Sequence, residues 1–194
     1  MLPPEALAAI GPVVAELRRQ DVPWHLGGSV ASSALGVPRT SLDVDLVADL
    51  RPAHVPGLLV ATASDYYRNV DTMGEAISRR SCFNLIHLPT CFKVDVFVMQ
   101  DRPFDRSAMS RALERTVDPT RPELRCPMAS AEDVILKKLE WFRLGDEVSQ
   151  RQWADVLGVL RVQAGNLDRD YLAVWAKQLA VADLLERAML EAQG

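Results

Sequence analysis

Cysteine is scarce in this chain, and its placement excludes two chemistries. Cys82, Cys91 and Cys126 are the only three in 194 residues, widely spaced and in no CxxC pair. Neither a disulfide framework nor a zinc site is indicated, and free thiols in a reducing compartment are the simpler expectation. Basic excess is lacking too. The 22 Lys and Arg face 26 Asp and Glu, for a net charge of -4. That argues against a broad, sequence-independent nucleic-acid footprint, while a local basic patch remains open. No apolar run approaches the roughly 18 residues of a membrane span. The N-terminal segment has no basic n-region and carries Glu5 and Glu16, unlike a secretory signal peptide. No internal repeat or low-complexity tract is present. A soluble cytoplasmic protein with no membrane partner is expected.

What is present is an ordinary globular balance, 48% apolar and 25% charged, in enough chain to bury a core without staples. Leu7, Ile10, Val14 and Leu17 recur at helical steps and predict an amphipathic helix over 4–19, with Pro3 and Pro4 suited to its first turn. A short run at 23–26 leads into Gly27-Gly28-Ser29, then a brief helix ending at Gly36 and Pro38. Leu42, Val44 and Leu46 alternate with Ser41, Asp43 and Asp45, the period of a strand with carboxylates on one face. Helices are expected at 55–64 and 74–80. Strands follow at 82–88 and 92–98, with Lys93, Asp95 and Phe97 sharing one face of the second. The stretch 101–128 is the least legible, with short strands expected near 112–117 and 123–126. Beyond it the pattern is wholly helical. Ser130 and Asp133 open a helix running to Leu144, and further helices are expected near 149–163, 168–179 and 181–192. The expected organisation is an α/β core, 1–128, and a C-terminal helical region, 129–194, packed on it as one unit.

The chemistry concentrates in one segment. Two adjacent glycines, Gly27 and Gly28, let the backbone approach a ligand closely. Ser29 adds a hydroxyl, and the following helix start aims free N–H groups at the same point, an arrangement suited to a triphosphate. Asp43 and Asp45, two residues apart on a strand, face the same side. Carboxylates that close repel unless a cation lies between them, and hard divalent ions such as Mg²⁺ take such oxygen ligands. Asp95 completes the set if its strand is a neighbour. Three carboxylates of this kind can hold two metal ions that clamp an in-line phosphoryl displacement.

This order, Gly-Gly-Ser, a small helix, Asp-x-Asp and a distant third Asp, resembles the minimal nucleotidyltransferase superfamily. The Arg39-Thr40 step before the Asp-x-Asp, the helix beginning Ala131-Glu-Asp-Val-Ile-Leu-Lys-Lys-Leu and the later Arg151-Gln-Trp-Ala-Asp155 are similar to its AbiEii- and MenT-type branch. The resemblance implies a small mixed, twisted sheet flanked by helices and followed by a C-terminal helical bundle. It implies a metal-dependent enzyme using two Mg²⁺ or Mn²⁺ ions. Such an enzyme transfers a nucleoside monophosphate from a nucleoside triphosphate to a hydroxyl, releasing pyrophosphate. Asp43, Asp45 and Asp95 would be both catalytic and metal-binding. Gly27, Gly28, Ser29, Arg39, Thr40, Lys138 and Asp155 would bind the nucleotide.

Lys137 and Lys138 compete for the lysine role that the branch implies. Ile135, Leu139 and Phe142 define the buried stripe. Lys138 lies about 60° from Ile135, while Lys137 points away into solvent. Arg39 is read as a phosphate partner or as a brace for the loop, and Asp155 as a site acid or a partner of Arg151. His25 is read as a polar residue at a strand end, and His54 and His87 as incidental. Trp141, Trp153 and Trp175 are expected to pack in the core.

The acceptor is open among a tRNA end, a protein side chain and a small molecule. For tRNA, Arg18, Arg19, Arg79, Arg80, Arg102, Arg106, Arg111 and Arg115 are the candidate basic surface. An aminoglycoside-type adenylyltransferase would need acids such as Glu75 or Glu132 in an acceptor pocket. The competing class is a non-catalytic nucleotide- or partner-binding module, one half of a toxin–antitoxin pair with a cognate partner protein, in which Leu184, Leu185 and Leu190 could form an interface.

Overall fold

A computed structural model describes residues 2–193. Its elements follow in chain order: α1 (Pro4–Arg19), β1 (Trp24–Leu26), α2 (Gly28–Leu35) and β2 (Asp43–Ala48). A 3-10 turn (Pro52–His54) leads into α3 (Val55–Ala61), β3 (Tyr66–Tyr67), α4 (Val70–Arg79), β4 (Cys82–His87) and β5 (Phe92–Val98). Then come α5 (Pro103–Ser110), β6 (Leu113–Thr116), β7 (Arg125–Met128) and four helices, α6 (Ala131–Leu144), α7 (Gln150–Gln163), α8 (Arg169–Gln178) and α9 (Ala182–Ala192). The strands form one mixed seven-stranded sheet in the order β3-β4-β5-β2-β1-β7-β6. A mixed sheet flanked by helices and followed by a helical C-terminal part is the class expected from the sequence. Among the described residues no helix is long and apolar enough to cross a membrane.

The sheet separates two environments. Val44, Leu46 and Ala48 of β2 and Val94, Val96 and Val98 of β5 are buried on one face, where burying β-branched and aliphatic side chains contributes about 1.5–3 kcal/mol each. The alternate positions, Asp43, Asp45, Lys93 and Asp95, share the other face because side chains alternate along a strand. Helix α6 covers one end of that second face: the Trp141 ring meets Phe97 edge-on at 6.0 Å. Trp141 stays 46% exposed, so it lies over the rim of the sheet, not in the core as expected. Trp153 is buried as expected, and Trp175 packs on Phe104 at 5.5 Å.

Several boundaries differ from expectation. Helix α3 stops at Ala61, and Tyr66–Tyr67 adds an edge strand that two residues are too few to announce by periodicity. Helix α4 begins at Val70, not 74, because the Asn69 side chain accepts the Thr72 N–H at 2.9 Å and caps it. The illegible stretch contains α5, which opens on Pro103 at its first position.

The C-terminal helices join the same hydrophobic cluster as the sheet, from Leu46 through Leu139 to Ala188. Polar and close backbone contacts seat them as well. Ser130 caps α6, and Asp133 accepts from both Ser130 Oγ and the Tyr171 hydroxyl at 2.7 Å. Arg111 stacks over the Tyr171 ring at 3.9 Å and pairs with Glu132 at 3.0 Å. Gly36, at the end of α2, lies against α7 so closely that a Cβ would stand 2.7 Å from the Val159 backbone nitrogen. Since that obstacle is backbone, Gly36→Ala is expected to destabilise the protein by about 1–3 kcal/mol. A lowered urea-unfolding midpoint with an unchanged m-value is the result that checks it.

Candidate active site

Parallel pairing of β2 with β5 sets the geometry. The register places Asp45 opposite Asp95 and Asp43 opposite Lys93. Asp43 and Asp45 therefore share one face of two adjacent strands with Asp95, although it lies about 50 residues further along the chain. The Gly27-Gly28 turn arrives beside them from β1, which pairs antiparallel with β2. The Gly27 N–H donates to the Asp45 carbonyl at 3.0 Å, and the Ser29 N–H to Asp45 Oδ2 at 3.3 Å. Gly28 has φ of +50°, in the left-handed region that glycine tolerates best. A Cβ there would also overlap the Asp45 carboxylate.

The like charges are costly. Burial is the largest effect on Asp45, and the neighbouring Asp43 and Asp95 add to it, pushing its pKa up to about 6 against the opposing Ser29 N–H and Lys138. Asp95 is held on both oxygens: Asn84 donates to Oδ1, and the Lys93 ammonium lies 2.7 Å from Oδ2. The same ammonium is 4.0 Å from Asp43 Oδ2. The hydrogen bond to Asp95 holds the Lys93 pKa above its ordinary value. Ser41 Oγ donates to Asp43 Oδ1 at 2.6 Å. Cys82, near the same acids, is pushed up to about 12, chiefly by burial, and is a neutral thiol.

Behind the Gly-Gly-Ser turn lies an ionic chain. Arg39 donates two bonds to Asp155, Nε to Oδ1 at 2.8 Å and Nη2 to Oδ2 at 2.9 Å, and a third from Nη2 to Ser29 Oγ at 2.6 Å. Lys138 Nζ lies 2.8 Å from Asp155 Oδ2 and donates to Gln152 Oε1 at 3.1 Å. Burial alone would raise the Asp155 pKa. The bonds from Arg39 and Lys138 outweigh it and hold Asp155 below the usual carboxylate value. Asp155 thus partners Arg39 and Lys138, not Arg151. Lys138 is buried and Lys137 is not simply solvated: it pairs with Asp105 at 3.3 Å and Glu140 at 2.9 Å. An open cavity of about 430 Å³ beside this chain is lined by Ser29, Ser33, Arg39, Thr40, Asp43 and Phe92 among others.

The other candidates lie elsewhere. His25 is buried within β1, where desolvation lowers its pKa. His54 and His87 bond locally, to the Arg51 N–H and to Thr90 Oγ1. Of the eight arginines considered for RNA, five are in ion pairs with the chain's own acids: Arg19, Arg80, Arg102, Arg106 and Arg111. Arg18 donates to the Arg125 carbonyl. Leu184 and Leu185 are buried, and Leu190 is exposed.

No protein-family model matches the chain, and no curated protein matches it in sequence. Solved structures do. ANT(2'')-Ia, in complex with adenylyl-2''-tobramycin, aligns with a TM-score of 0.55 at 15% identity over 90% of this chain and 96% of that one. The fold is that of nucleotidyltransferases. An antigenic nucleotidyltransferase-like protein from Paracoccidioides brasiliensis aligns at 0.54 and 17% identity, covering 97% of this chain and 94% of its own. The lincosamide antibiotic adenylyltransferase LnuA, lincomycin-bound, aligns at 0.52 and 14%, covering 81% and 96%.

An all-carboxylate donor set has the chemistry of a hard divalent-cation site, and a buried Asp45 raised by its neighbours is the group such a cation would relieve. Among the described residues, no three His, Cys, Asp or Glu side chains close around a common point; Lys93 stands against Asp95 instead. Two site residues escaped the sequence reading, Lys93 and Asn84. The one available signal was that Lys93 precedes Asp95 by two and so shares its face.

The raised Asp45 pKa has a signed consequence for the metal-free protein. Its folded value, about 6, exceeds the unfolded 3.8, so the stabilising effect of its bound proton is fully present below the unfolded value and is lost as pH rises through 6. Asp45→Asn is therefore expected to stabilise the metal-free protein at pH 7.5 or so, by about 3 kcal/mol, with the gain gone below about pH 4. Thermal melts of both proteins across pH check this; a gain that grows on acidification would refute it.

Proposed function

We propose that this chain transfers a nucleoside monophosphate from a nucleoside triphosphate to an acceptor hydroxyl, with release of pyrophosphate. The observation that carries the reading is the in-register pairing of Asp45 with Asp95 beside the Gly28-Ser29 turn. That combination joins a carboxylate set to a phosphate-sized turn. The nucleotidyltransferase fold of the chain supports it.

In this reading the triphosphate lies along the Ser29 turn, in the cavity lined by Ser33, Arg39 and Thr40. Backbone N–H groups of the turn bind phosphate oxygens, and so does Arg39 through Nη1, since its Nε and Nη2 are held by Asp155 and Ser29. Lys138 holds Asp155, and Asp155 holds Arg39, so both orient Arg39, and Lys138 alone adds positive field. Asp43, Asp45 and Asp95 would hold two Mg²⁺ or Mn²⁺ ions, with the Lys93 ammonium displaced from Asp95. When bound, the metal neutralises the charge that builds on the phosphates. The acceptor oxygen attacks the α-phosphorus, its proton passes to Asp95, and the bond to the bridging α–β oxygen breaks to release pyrophosphate.

The second reading, a non-catalytic module, has one observation in its favour: Lys93 already neutralises Asp95 at 2.7 Å. The resemblance to the AbiEii- and MenT-type branch, with a cognate partner protein, belongs to the same level of proposal. It draws support from the grouping of Arg39, Lys138 and Asp155.

Incubating the protein with each α-labelled nucleoside triphosphate, Mg²⁺ or Mn²⁺, and tRNA, lysate protein or a small-molecule panel is expected to label an acceptor. Asp43→Ala should reduce that labelling at least a thousandfold, in line with roughly 4 kcal/mol or more of lost transition-state stabilisation. Nucleotide binding without transfer to any acceptor would favour the module. If Arg39 binds the triphosphate, Arg39→Lys should raise the KM for the nucleotide about tenfold, with a smaller change in kcat. An unchanged KM would leave Arg39 only a brace for the loop.

A further inference from the structure

We infer that the acceptor is a small hydroxyl compound with a flat or apolar face and no positive charge, bound in a second cavity on the Asp95 side of the site. The inference rests on the nucleotidyl-transfer reading for the role of the cavity, but not for its existence. The cavity measures about 340 Å³ and opens among Tyr67, Asn69, Thr72, Asn84, Ile86 and Lys93. That volume is near the lower end of small-molecule sites, about 300–1,000 Å³.

Its placement is the first argument. Asn84 and Lys93, two of its walls, are the two side chains that hold the oxygens of Asp95. The cavity at the Gly-Gly-Ser turn is walled by Ser29, Arg39 and Asp43 instead. The carboxylates thus stand between two cavities with different linings. A transfer between two substrates needs that division, with the donor's α-phosphorus over the acids and the accepting oxygen beyond them.

Its lining is the second argument. Tyr67 and Ile86 are register partners on β3 and β4, so their side chains stand side by side on one face. Tyr67 is 64% exposed and Ile86 36%, which leaves an uncovered apolar shelf for a ring. Asn84 and Thr72 add uncharged hydrogen-bonding groups. Lys93 is the one charged residue in the lining, and no carboxylate is present. A polycation would meet that ammonium at the wall, with the Asp95 carboxylate behind it already paired to Lys93, which costs affinity. Glu132, one of the acids considered for such a substrate, is buried against Arg111. Glu75 sits exposed on α4 and is not part of this lining. A polyanion finds no ready basic track either, because five of the eight candidate arginines are paired internally.

The test uses 4-nitrophenyl β-D-glucopyranoside, an uncharged compound with a flat ring and several hydroxyls, and tobramycin as the polycation. Saturation-transfer NMR with the full chain and Mg²⁺ is expected to show saturable contact with the glucoside. That contact should persist when a nucleoside triphosphate is added. It should fall at least fivefold in Thr72→Trp, which fills the cavity, and in Tyr67→Ala, which removes the shelf. Both positions are exposed, and a melting curve for each variant reports its folding. Nucleotide binding should match wild type in both. Loss of nucleotide binding in the wild type would sink the nucleotidyl-transfer reading while leaving the cavity result standing. Tobramycin or tRNA contact in place of the glucoside overturns the inference, as does no contact with any probe or glucoside contact that survives both substitutions.

Discussion

Two aspartates face each other across a pair of parallel strands, and much of the surrounding structure compensates for that repulsion. The pairing of β2 with β5 is set by their apolar faces, where Val44, Leu46, Val94 and Val96 are buried. A one-residue slip would turn those side chains toward the opposite face. The same register puts Asp45 opposite Asp95 with no freedom to separate. Core packing therefore enforces an electrostatic cost that only cations or donated hydrogen bonds can offset. Lys93, Asn84, the Ser29 N–H and the more distant Lys138 each supply part of that compensation.

The compensation also ties the helical part to the sheet. Arg39 comes from the loop before β2, Asp155 from α7 and Lys138 from α6, and they meet beside Ser29. Breaking a buried pair by removing one partner is expensive because the other charge is left unpaired, at about 3–5 kcal/mol. The chain therefore serves two ends: it seats α6 and α7 against α2, and it holds a guanidinium at the turn where phosphates would lie. The close approach of Gly36 to the α7 backbone is the apolar counterpart of the same docking.

Local patterns carried much of the reading. The alternation through Asp43 and Asp45, the proline-led α1 and the Ser130-capped α6 all appear as their periods and caps imply. What escaped has physical causes. Strand β3 has two residues and no period to detect. Helix α5 is short and polar, and reads as a charged loop until Pro103 is recognised as its first residue. Lys137 looked solvated from its helical angle, yet its partner Asp105 lies on another helix, beyond the reach of any periodicity.

The order of residues determined which groups exist and which of them share a local face: the two-residue step from Asp43 to Asp45, the glycine pair, and Lys93 beside Asp95. Those relations follow from bond geometry, which repeats every two residues in a strand and every 3.6 or so in a helix. Tertiary structure alone decided that Asp95 faces Asp45 and not another residue, that Asp155 answers Arg39 across 116 positions, and that Lys93 turns its ammonium onto Asp95. Contacts of that range depend on sheet order and helix docking, and these are settled by how apolar faces pack together, not by the spacing of the polar residues they bring along.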